Sequence, residues 1–235
     1  MQAIILTGGK GTRLQHIYPD VPKALVPVNG KPFIQWQIEW LKQYDMTDIH
    51  LALGHKSKAI LEWLGEKPFP DINITTSIEP EPLGTAGGLN FALQSVNKEI
   101  FMTLNGDTLL PNLNLKDLIT DHLESTLAVT IVTIKTKEAD RFGTIEVDSN
   151  NIIKSFHEKV PSSNAWINGG IYIFSSSALE HLEPWPQGSL ETDVFPRMCA
   201  HKILRAFPCK GPLLDMGTPE GLSETGQFLI DDPIM

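Results

Sequence analysis

A glycine-rich segment near the amino terminus is the first feature of the sequence that could bind a ligand. It reads LTGGKGTRL over residues 6–14 and directly follows a short apolar run, Gln2–Leu6. Its three glycines would let main-chain N–H groups approach a polyanion, and Arg13 would add a planar cation suited to phosphate oxygens. The spacing matches neither the dinucleotide-binding nor the P-loop pattern. The segment is therefore either a tight turn with a solvated arginine or a phosphate-binding loop of another type.

Three further charged residues could take part in phosphate chemistry. Lys23 lies between Pro22 and an apolar stretch, while Asp107 and Asp215 each end an apolar run. Two carboxylates together with phosphate oxygens would form a hard, oxygen-rich site of the type that Mg²⁺ prefers. Taken singly, each aspartate could equally be a turn former, and Lys23 could be a surface lysine with a buried stem.

Alternating strand-like and helix-like segments precede and follow these residues. The predicted strands are 2–6, 48–53, 72–78 and 99–105, and the predicted helices are 33–44, 56–64 and 85–96. Strands that alternate with helices at this spacing indicate βαβ units, and therefore a mostly parallel sheet with helices on both faces. The sequence thus predicts an α/β protein.

The pattern changes after Asn114, where several strand-like segments follow one another with short turns. These segments favour a β-rich hairpin extension of the sheet. Residues 189–202 return to a helical pattern with Ser189 and Thr192 as candidate caps, and Pro196 must lie in its first turns. Segments ILRAFP and PLLDM are predicted as closing strands, and a last helix begins after Thr218. Residues 1–235 show no linker or repeat, which predicts a single domain.

Composition excludes several classes of function. The chain has 235 residues and a formal net charge of −9, which argues against nucleic acid as a partner. No apolar run is long enough to cross a bilayer, and the amino terminus lacks the pattern of a signal peptide. Two cysteines and seven histidines without metal-ligand spacing predict neither a disulfide framework nor a zinc site. We therefore expect a cytoplasmic protein with no membrane partner.

Six motifs together carry a resemblance to a known family. ILTGGKGTRL and PKALVPVNGKP resemble the signature of the sugar-1-phosphate nucleotidylyltransferases, although Thr7 stands where that family usually carries alanine. The later motifs EPEPLGTAGGL, LNGDT, FHEKVP with INGGIY, and LLDMGTPE follow in the order expected for the family. The resemblance covers residues 4–220. It implies a three-layer α/β/α Rossmann-like nucleotidyltransferase fold with a mostly parallel central sheet and a β-rich sugar-binding extension.

The resemblance also implies roles for individual residues. The residues expected to bind the nucleotide are Leu6, Gly8, Gly9, Gly11, Thr12, Glu79, Gly84 and Thr85. The residues expected to be catalytic are Arg13, Lys23 and Asp107. The residues expected to bind the sugar phosphate are Gly143, Glu158, Lys159 and Asn168. Mg²⁺ would be held by Asp107 and Asp215.

The implied reaction joins a sugar 1-phosphate to a nucleoside triphosphate and releases pyrophosphate. A carboxylate in the loop 79–84, such as Glu79 or Glu81, can accept from both N1–H and the 2-amino group of guanine, which favours GTP over UTP or dTTP. The alternative is that loop 79–84 is an exposed acidic loop, which would contain the same residues without contacting a base. The run SLETDVFPRM resembles the heptose-1-phosphate guanylyltransferase branch of the family, with the mannose-1-phosphate guanylyltransferases next.

Two functions of other classes fit these residues less well than this reaction does. A catalytically silent nucleotide-sugar sensor or regulatory subunit should have lost Arg13, Lys23 or one aspartate, and all are present. A metal-dependent glycosyltransferase should have a D-x-D motif, whereas this chain has Asn105-Gly-Asp107. We also expect no carboxy-terminal β-helix domain, and a homodimer is the expected assembly.

Overall fold

The computed structural model describes residues 1–66, 69–97, 99–136, 143–157 and 165–231. Its strands are β1 (Gln2–Thr7), β2 (Pro27–Val28), β3 (Lys31–Pro32), β4 (Asp48–Leu53), β5 (Asn73–Ile78), β6 (Ile100–Asn105), β7 (Thr108–Leu109), β8 (Val129–Thr136), β9 (Thr144–Val147), β10 (Ile153–His157), β11 (Ala165–Ser175), β12 (Leu204–Cys209) and β13 (Leu214–Asp215). Its α-helices are α1 (Phe33–Lys42), α2 (Ser57–Glu66), α3 (Gly84–Ala92), α4 (Leu115–Glu124), α5 (Leu179–Leu182), α6 (Phe195–Ala200) and α7 (Pro219–Asp231). A π-helical turn, Leu190–Val194, directly precedes α6.

One large sheet forms the centre of the described structure. Its order is β12-β8-β11-β6-β1-β4-β5, and the pairs β1–β4, β1–β6, β4–β5 and β8–β12 are parallel. Strand β11 is antiparallel to β6 and β8, and its amino-terminal part also pairs antiparallel with β9. The prediction of a mostly parallel sheet is therefore confirmed.

The side chains of each central strand alternate between two hydrophobic cores. In β1, Ala3 and Ile5 lie in the core that contains α1, α2, α4 and α7, whereas Ile4 lies in the core that contains α3, α5 and α6. Strand β6 divides in the same way, with Met102 on the first side and Phe101 on the second. Both faces of the sheet are thus covered, which explains why these strands read as continuous apolar runs.

An irregularity in β11 opens the sheet where polar residues gather. The amino-terminal part of β11 pairs with β9, and its carboxy-terminal part pairs with β6 along the same edge. Between these parts the register with β8 shifts between Asn168 and Tyr172, and Gly170 has a φ of 71°. The β9–β10 hairpin therefore continues the sheet beyond the carboxyl end of β6, as the predicted extension requires.

Helix α4 corrects the prediction of a purely β-rich region after Asn114. The Asn114 side chain accepts a hydrogen bond from the N–H of Lys116 (3.0 Å) and so caps this helix. Leu115 and Leu118 are fully buried at helical spacing, and His122 is buried one turn later. This helix was missed because its apolar stripe is narrow and contains a histidine.

Several other boundaries also differ from the sequence prediction, and helix α1, for example, ends at Lys42 rather than at Tyr44. Helix α3 ends at Ala92 rather than at Val96. PLLDM contributes only the two-residue strand β13, which pairs with β7 outside the large sheet. Within the described residues, no helix combines the length and apolar character needed to span a membrane.

Candidate active site

Two cavities open at the carboxyl ends of β1 and β6, and they share the residues Asn105 and Asp107. The first, of about 330 Å³, is lined by the glycine loop, the end of β5 and the start of α3. The second, of about 660 Å³, is lined by residues of β10, β11, the π-helical turn and β13. Open α/β sheets bind their ligands at this edge. The geometry therefore offers two adjoining compartments that meet at one aspartate.

The glycine loop forms one wall of the first cavity. Leu6, Gly8, Gly9 and Gly11 all line it. Gly11 has a φ of 62°, and a Cβ at this position would lie 3.0 Å from Cβ of Lys23. Only glycine combines this backbone conformation with so close an approach. Thr12 is exposed and contributes to neither cavity wall in the part of the chain that the structure describes.

Lys23 connects this loop to Asp107. It begins a short 3₁₀ turn, Lys23–Leu25, after the buried Pro22, so its backbone is held firmly. Its ammonium group forms an ion pair and hydrogen bond with Oδ2 of Asp107, and 15% of the lysine side chain is exposed. A half-buried pair such as this one loses less to solvent screening than a surface pair does. The cation is thus fixed at the junction of the two cavities.

The two aspartates of the predicted metal site come together through a small ladder. Strands β7 and β13 are antiparallel, with Asp215 opposite Thr108, and the N–H of Met216 donates to the carbonyl of Asp107 (3.0 Å). Both aspartates line the second cavity. Asp215 Oδ1 also accepts the N–H of Gly217 (2.8 Å). Residues 108 positions apart in the chain are therefore neighbours at one cavity wall.

Arg13 joins the same group of charges from the other side. A Cβ on the buried Gly217 would lie 3.2 Å from Nη2 of Arg13 and 3.2 Å from Nζ of Lys23. Both cations therefore converge beside the loop that holds Asp215. Arg13 lines the second cavity rather than the first, although the sequence assigned it to the triphosphate.

Glu79 also lines the first cavity, and its carboxylate lies against Gly8 of the glycine loop and against Gly54. A Cβ on Gly8 would lie 2.6 Å from its Oε1, and a Cβ on Gly54 would collide with the same oxygen. Its Oε2 accepts the N–H of Leu83 (3.3 Å). Burial raises the pKa of the Glu79 carboxyl, and the hydrogen bond from Leu83 partly opposes this effect. Gly54 is thus needed to accommodate this carboxylate, a role that its place in the sequence did not indicate.

Gly84 and Thr85, which the sequence assigned to nucleotide binding, begin α3 and line the first cavity. The Thr85 hydroxyl donates to Oε2 of Glu191 (2.9 Å) and accepts the N–H of Leu190 (2.8 Å). Because both bonds are made inside the protein, this hydroxyl holds the start of α3 against the π-helical turn.

Asn168 and Gly143, which the sequence assigned to sugar-phosphate binding, line the second cavity. The Asn168 amide donates to the Tyr172 hydroxyl (2.8 Å), and its Oδ1 accepts the N–H of Gly170 (2.9 Å). Burial, reinforced by the nearby Glu191 carboxylate, raises the pKa of Tyr172 well above its ordinary value, so this hydroxyl stays protonated. Glu158 and Lys159, the other two predicted residues, lie outside the described residues.

Glu191 is the most connected site residue that the sequence did not identify. It lines the second cavity and accepts hydrogen bonds from four side chains. Two features of the sequence point to this position: it lies in the run SLETDVFPRM, and it follows Ser189, which caps this turn by accepting the N–H groups of Glu191 and Thr192. A cap predicts where a helix begins, but it does not predict what the next side chain contacts.

The chain is similar to known proteins over most of its length. The family model described as nucleotidyl transferase matches residues 2–232. The chain is 36% identical to a D-glycero-α-D-manno-heptose 1-phosphate guanylyltransferase of Campylobacter jejuni, over 94% of this chain and 96% of that protein. It is 39% identical to a mannose-1-phosphate guanyltransferase of Schizosaccharomyces pombe, over 94% of this chain but only 62% of that protein.

A solved structure shares the fold over nearly the whole chain. The crystal structure of HddC from Yersinia pseudotuberculosis complexed with GMP-PN superimposes with a TM-score of 0.83 and 29% identity. The match covers 96% of this chain and 98% of the other. The prediction of an α/β nucleotidyltransferase fold is therefore confirmed.

Proposed function

Because this chain belongs to the nucleotidyl transferase family, we propose that it transfers the guanylyl group of GTP to D-glycero-α-D-manno-heptose 1-phosphate. The observation that carries this proposal is the pair of cavities that meet at Asp107, one suited to a nucleotide and one to a sugar phosphate. The Campylobacter relative supports the choice of sugar because the two chains match over almost their full lengths. Mannose 1-phosphate is the alternative sugar phosphate, supported by the similarity to the yeast protein.

In the proposed reaction, a phosphate oxygen of the sugar 1-phosphate attacks the α-phosphorus of GTP. The bond between the α-phosphorus and its bridging oxygen to the β-phosphate breaks, and pyrophosphate leaves with the electron pair. The nucleophile is already anionic, so no protein base has to remove a proton. Catalysis then depends on alignment and on neutralising charge at the phosphates.

The charged residues of the junction suit this task. The main-chain amides of the glycine loop would face the triphosphate, and Lys23 would stand where the two substrates meet. Arg13 and Lys23 would balance the charge that grows on the leaving pyrophosphate. We propose Lys159 and Glu158 as contacts of the sugar phosphate and the sugar hydroxyls, as the family resemblance implies.

We also propose Mg²⁺ as the cofactor, and the donor set fits it. Asp107 and Asp215 line one cavity, and the described residues contain no group of three or more metal-ligating side chains. Mg²⁺ is typically held by one or two carboxylates together with substrate phosphates and water, which matches this pair. When bound there, the ion would neutralise charge on phosphate oxygens.

Two side chains that line the first cavity, where the nucleotide base would bind, favour guanine. The Glu79 carboxylate can accept from both N1–H and the 2-amino group, and the Ser77 hydroxyl lines the same cavity. Ser77 Oγ bonds Nε2 of the fully buried His50, whose Nδ1 bonds Thr75 (both 2.9 Å). Burial lowers the pKa of His50, so the ring is neutral and has one N–H. If this N–H is on Nε2, it donates to Ser77 Oγ, and the Ser77 hydroxyl can then donate to guanine O6.

The proposed base contact predicts the effect of Glu79→Gln. An amide offers one acceptor and one donor, which suits the single ring N–H and the carbonyl of uracil or thymine. We expect KM for GTP to rise about 10- to 100-fold, corresponding to loss of one or two charge-assisted hydrogen bonds, while KM for UTP falls. Steady-state kinetics with both nucleotides would measure this change, and an unchanged preference for GTP would remove Glu79 from base recognition.

The raised pKa of Glu79 adds a dependence on pH. The carboxylate form is the one that accepts from guanine, and it is lost as the pH falls through the raised pKa. We therefore expect KM for GTP to increase as the pH is lowered in the parent enzyme and to stay flat in Glu79→Gln. A parallel rise in both proteins would assign the pH effect to another group.

The substrate assignment is tested by a matrix of GTP, ATP, UTP, CTP and dTTP against heptose, mannose, glucose and N-acetylhexosamine 1-phosphates. Pyrophosphate release is the readout. We expect the highest kcat/KM for GTP with the heptose compound. A maximum at mannose 1-phosphate would select the alternative, and nucleotide-sugar binding without turnover would make the chain a silent regulatory subunit.

We also propose a cellular location and an assembly for this enzyme. We propose a cytoplasmic enzyme, because both cysteines are free and buried thiols suited to a reducing compartment. A homodimer is the proposed assembly, and sedimentation or light scattering of the purified protein would test it.

A further inference from the structure

The two oxygens of the Glu191 carboxylate accept hydrogen bonds from different elements around the two cavities. Oε2 accepts the hydroxyls of Thr85 (2.9 Å) and Ser189 (2.8 Å), and Thr85 lines the first cavity. Oε1 accepts the Tyr172 hydroxyl (3.2 Å) and the Asn105 amide (3.4 Å). Each oxygen therefore receives two donors. One carboxylate links the start of α3 to the strands that form the second cavity.

The partners of Glu191 belong to elements that line or adjoin the two cavities. Thr85 begins the helix that lines the first cavity, and Asn105 ends β6 two residues before Asp107. Tyr172 orients Asn168, because its hydroxyl accepts the Asn168 amide while it donates to Glu191. These elements come from distant parts of the chain. Their mutual distance therefore depends on contacts such as those of Glu191.

A carboxylate is suited to this junction because it only accepts hydrogen bonds. Four donors converge on it, and an ionised carboxylate offers about four lone-pair sites. Hydrogen bonds to a charged acceptor are also stronger than neutral ones. The π-helical turn Leu190–Val194 holds Glu191 in place, and its residue Leu190 donates its N–H back to Thr85. Turns of this kind are rare and are found frequently at functional sites.

We infer that Glu191 is a positioning residue that fixes the nucleotide compartment relative to the sugar-phosphate compartment, and so aligns the attacking oxygen with the α-phosphorus. The inference rests on the proposed function for its catalytic consequence. A shift of about 1 Å between reacting groups can cost about 100-fold in rate. Loss of Glu191 should therefore reduce kcat more than it weakens the binding of either substrate.

The first experiment measures kcat and both KM values for Glu191→Ala. We expect kcat to fall about 100-fold, as for a misalignment of that size, with each KM changing less than about fivefold. An increase confined to KM for the sugar phosphate would overturn the inference, because it would make Glu191 a direct sugar contact. A lower melting temperature with unchanged kcat would overturn it as well, because the residue would then be merely structural.

Variants of the partners keep the test independent of the folding of Glu191→Ala. Thr85→Val removes a hydroxyl that donates to Glu191, and Thr120→Val is the control because the exposed Thr120 hydroxyl donates only to the carbonyl of Lys116 within α4 (2.9 Å). Tyr172→Phe removes only the hydroxyl that links Asn168 to Glu191. We expect Thr85→Val and Tyr172→Phe each to lower kcat, Thr120→Val to retain it, and neither loss to add to that of Glu191→Ala. Full additivity would contradict action through one junction.

Hydrogen exchange of the ligand-free protein separates this inference from the proposed reaction. In Glu191→Ala we expect faster exchange at the N–H groups of both Ala86, which follows the cavity-lining Thr85 in α3, and Gly170, which lines the second cavity. The N–H groups of β4 should be unchanged. If only one of the two sites loosens, Glu191 does not couple the cavities, whichever substrates the enzyme uses. A parent enzyme without turnover would refute the reaction and leave this readout intact.

Discussion

Replacing Asp107 with asparagine should reduce pyrophosphate release about 10²- to 10³-fold, the range seen when a main electrostatic contact of a transition state is removed. Asp107 is the one charged residue that lines both cavities among the described residues and also pairs with Lys23. Asparagine keeps the shape but removes the charge that would bind Mg²⁺ and orient the lysine. Initial rates over a range of Mg²⁺ concentrations would measure the loss.

The fold should survive this substitution, because 29% of the Asp107 side chain and 15% of the Lys23 side chain are exposed to water, so the lysine is not left as an isolated buried charge. Asp71→Asn is the matched control, since Asp71 also pairs with a lysine but lies at the surface, far from both cavities along the sheet. We expect full activity for the control. Substantial Mg²⁺-dependent activity in Asp107→Asn would exclude Asp107 from the metal site.

The arrangement of the fold followed from local patterns because its central strands are covered on both faces. Apolar runs such as Gln2–Leu6 and the amphipathic segment of α1 have few structural alternatives, and the βαβ spacing constrains their order. Helix α4 was missed, since its only strong local signal is the cap at Asn114 and its buried stripe includes His122. Local chemistry therefore predicts a helix poorly when its buried face contains polar residues.

The members of the site could be predicted more readily than their contacts. Gly11 is required by a local conformation, which a glycine-rich motif reveals. The approach of Asp215 to Asp107 depends on a two-residue ladder, and the role of Glu191 depends on four side chains between 2 and 106 positions away. Such contacts are set by the packing of distant elements, which neither residue type nor spacing encodes.

For Arg13, the role expected from the sequence and the place of the side chain in the structure differ. The substitution Arg13→Ala tests whether this cation acts on the leaving pyrophosphate or binds the sugar phosphate. The sequence assigned this cation to the triphosphate, whereas the structure places it in the wall of the second cavity, converging with Lys23 beside Asp215. That position is at the junction, so we expect kcat to fall about 10²- to 10³-fold, as for other lost charge-stabilising donors. KM for the sugar phosphate should change much less.

Arg13→Lys and a surface control complete this test. Lysine keeps the charge but lacks the planar fork that binds two phosphate oxygens at once, so we expect only partial recovery of kcat. Lys58→Ala, which removes an exposed cation of α2, should leave both parameters unchanged. A large rise in KM for the sugar phosphate with kcat preserved would instead make Arg13 a ligand of the incoming substrate. Neutralisation of the leaving pyrophosphate would then fall to Lys23, which already lines the first cavity beside the glycine loop.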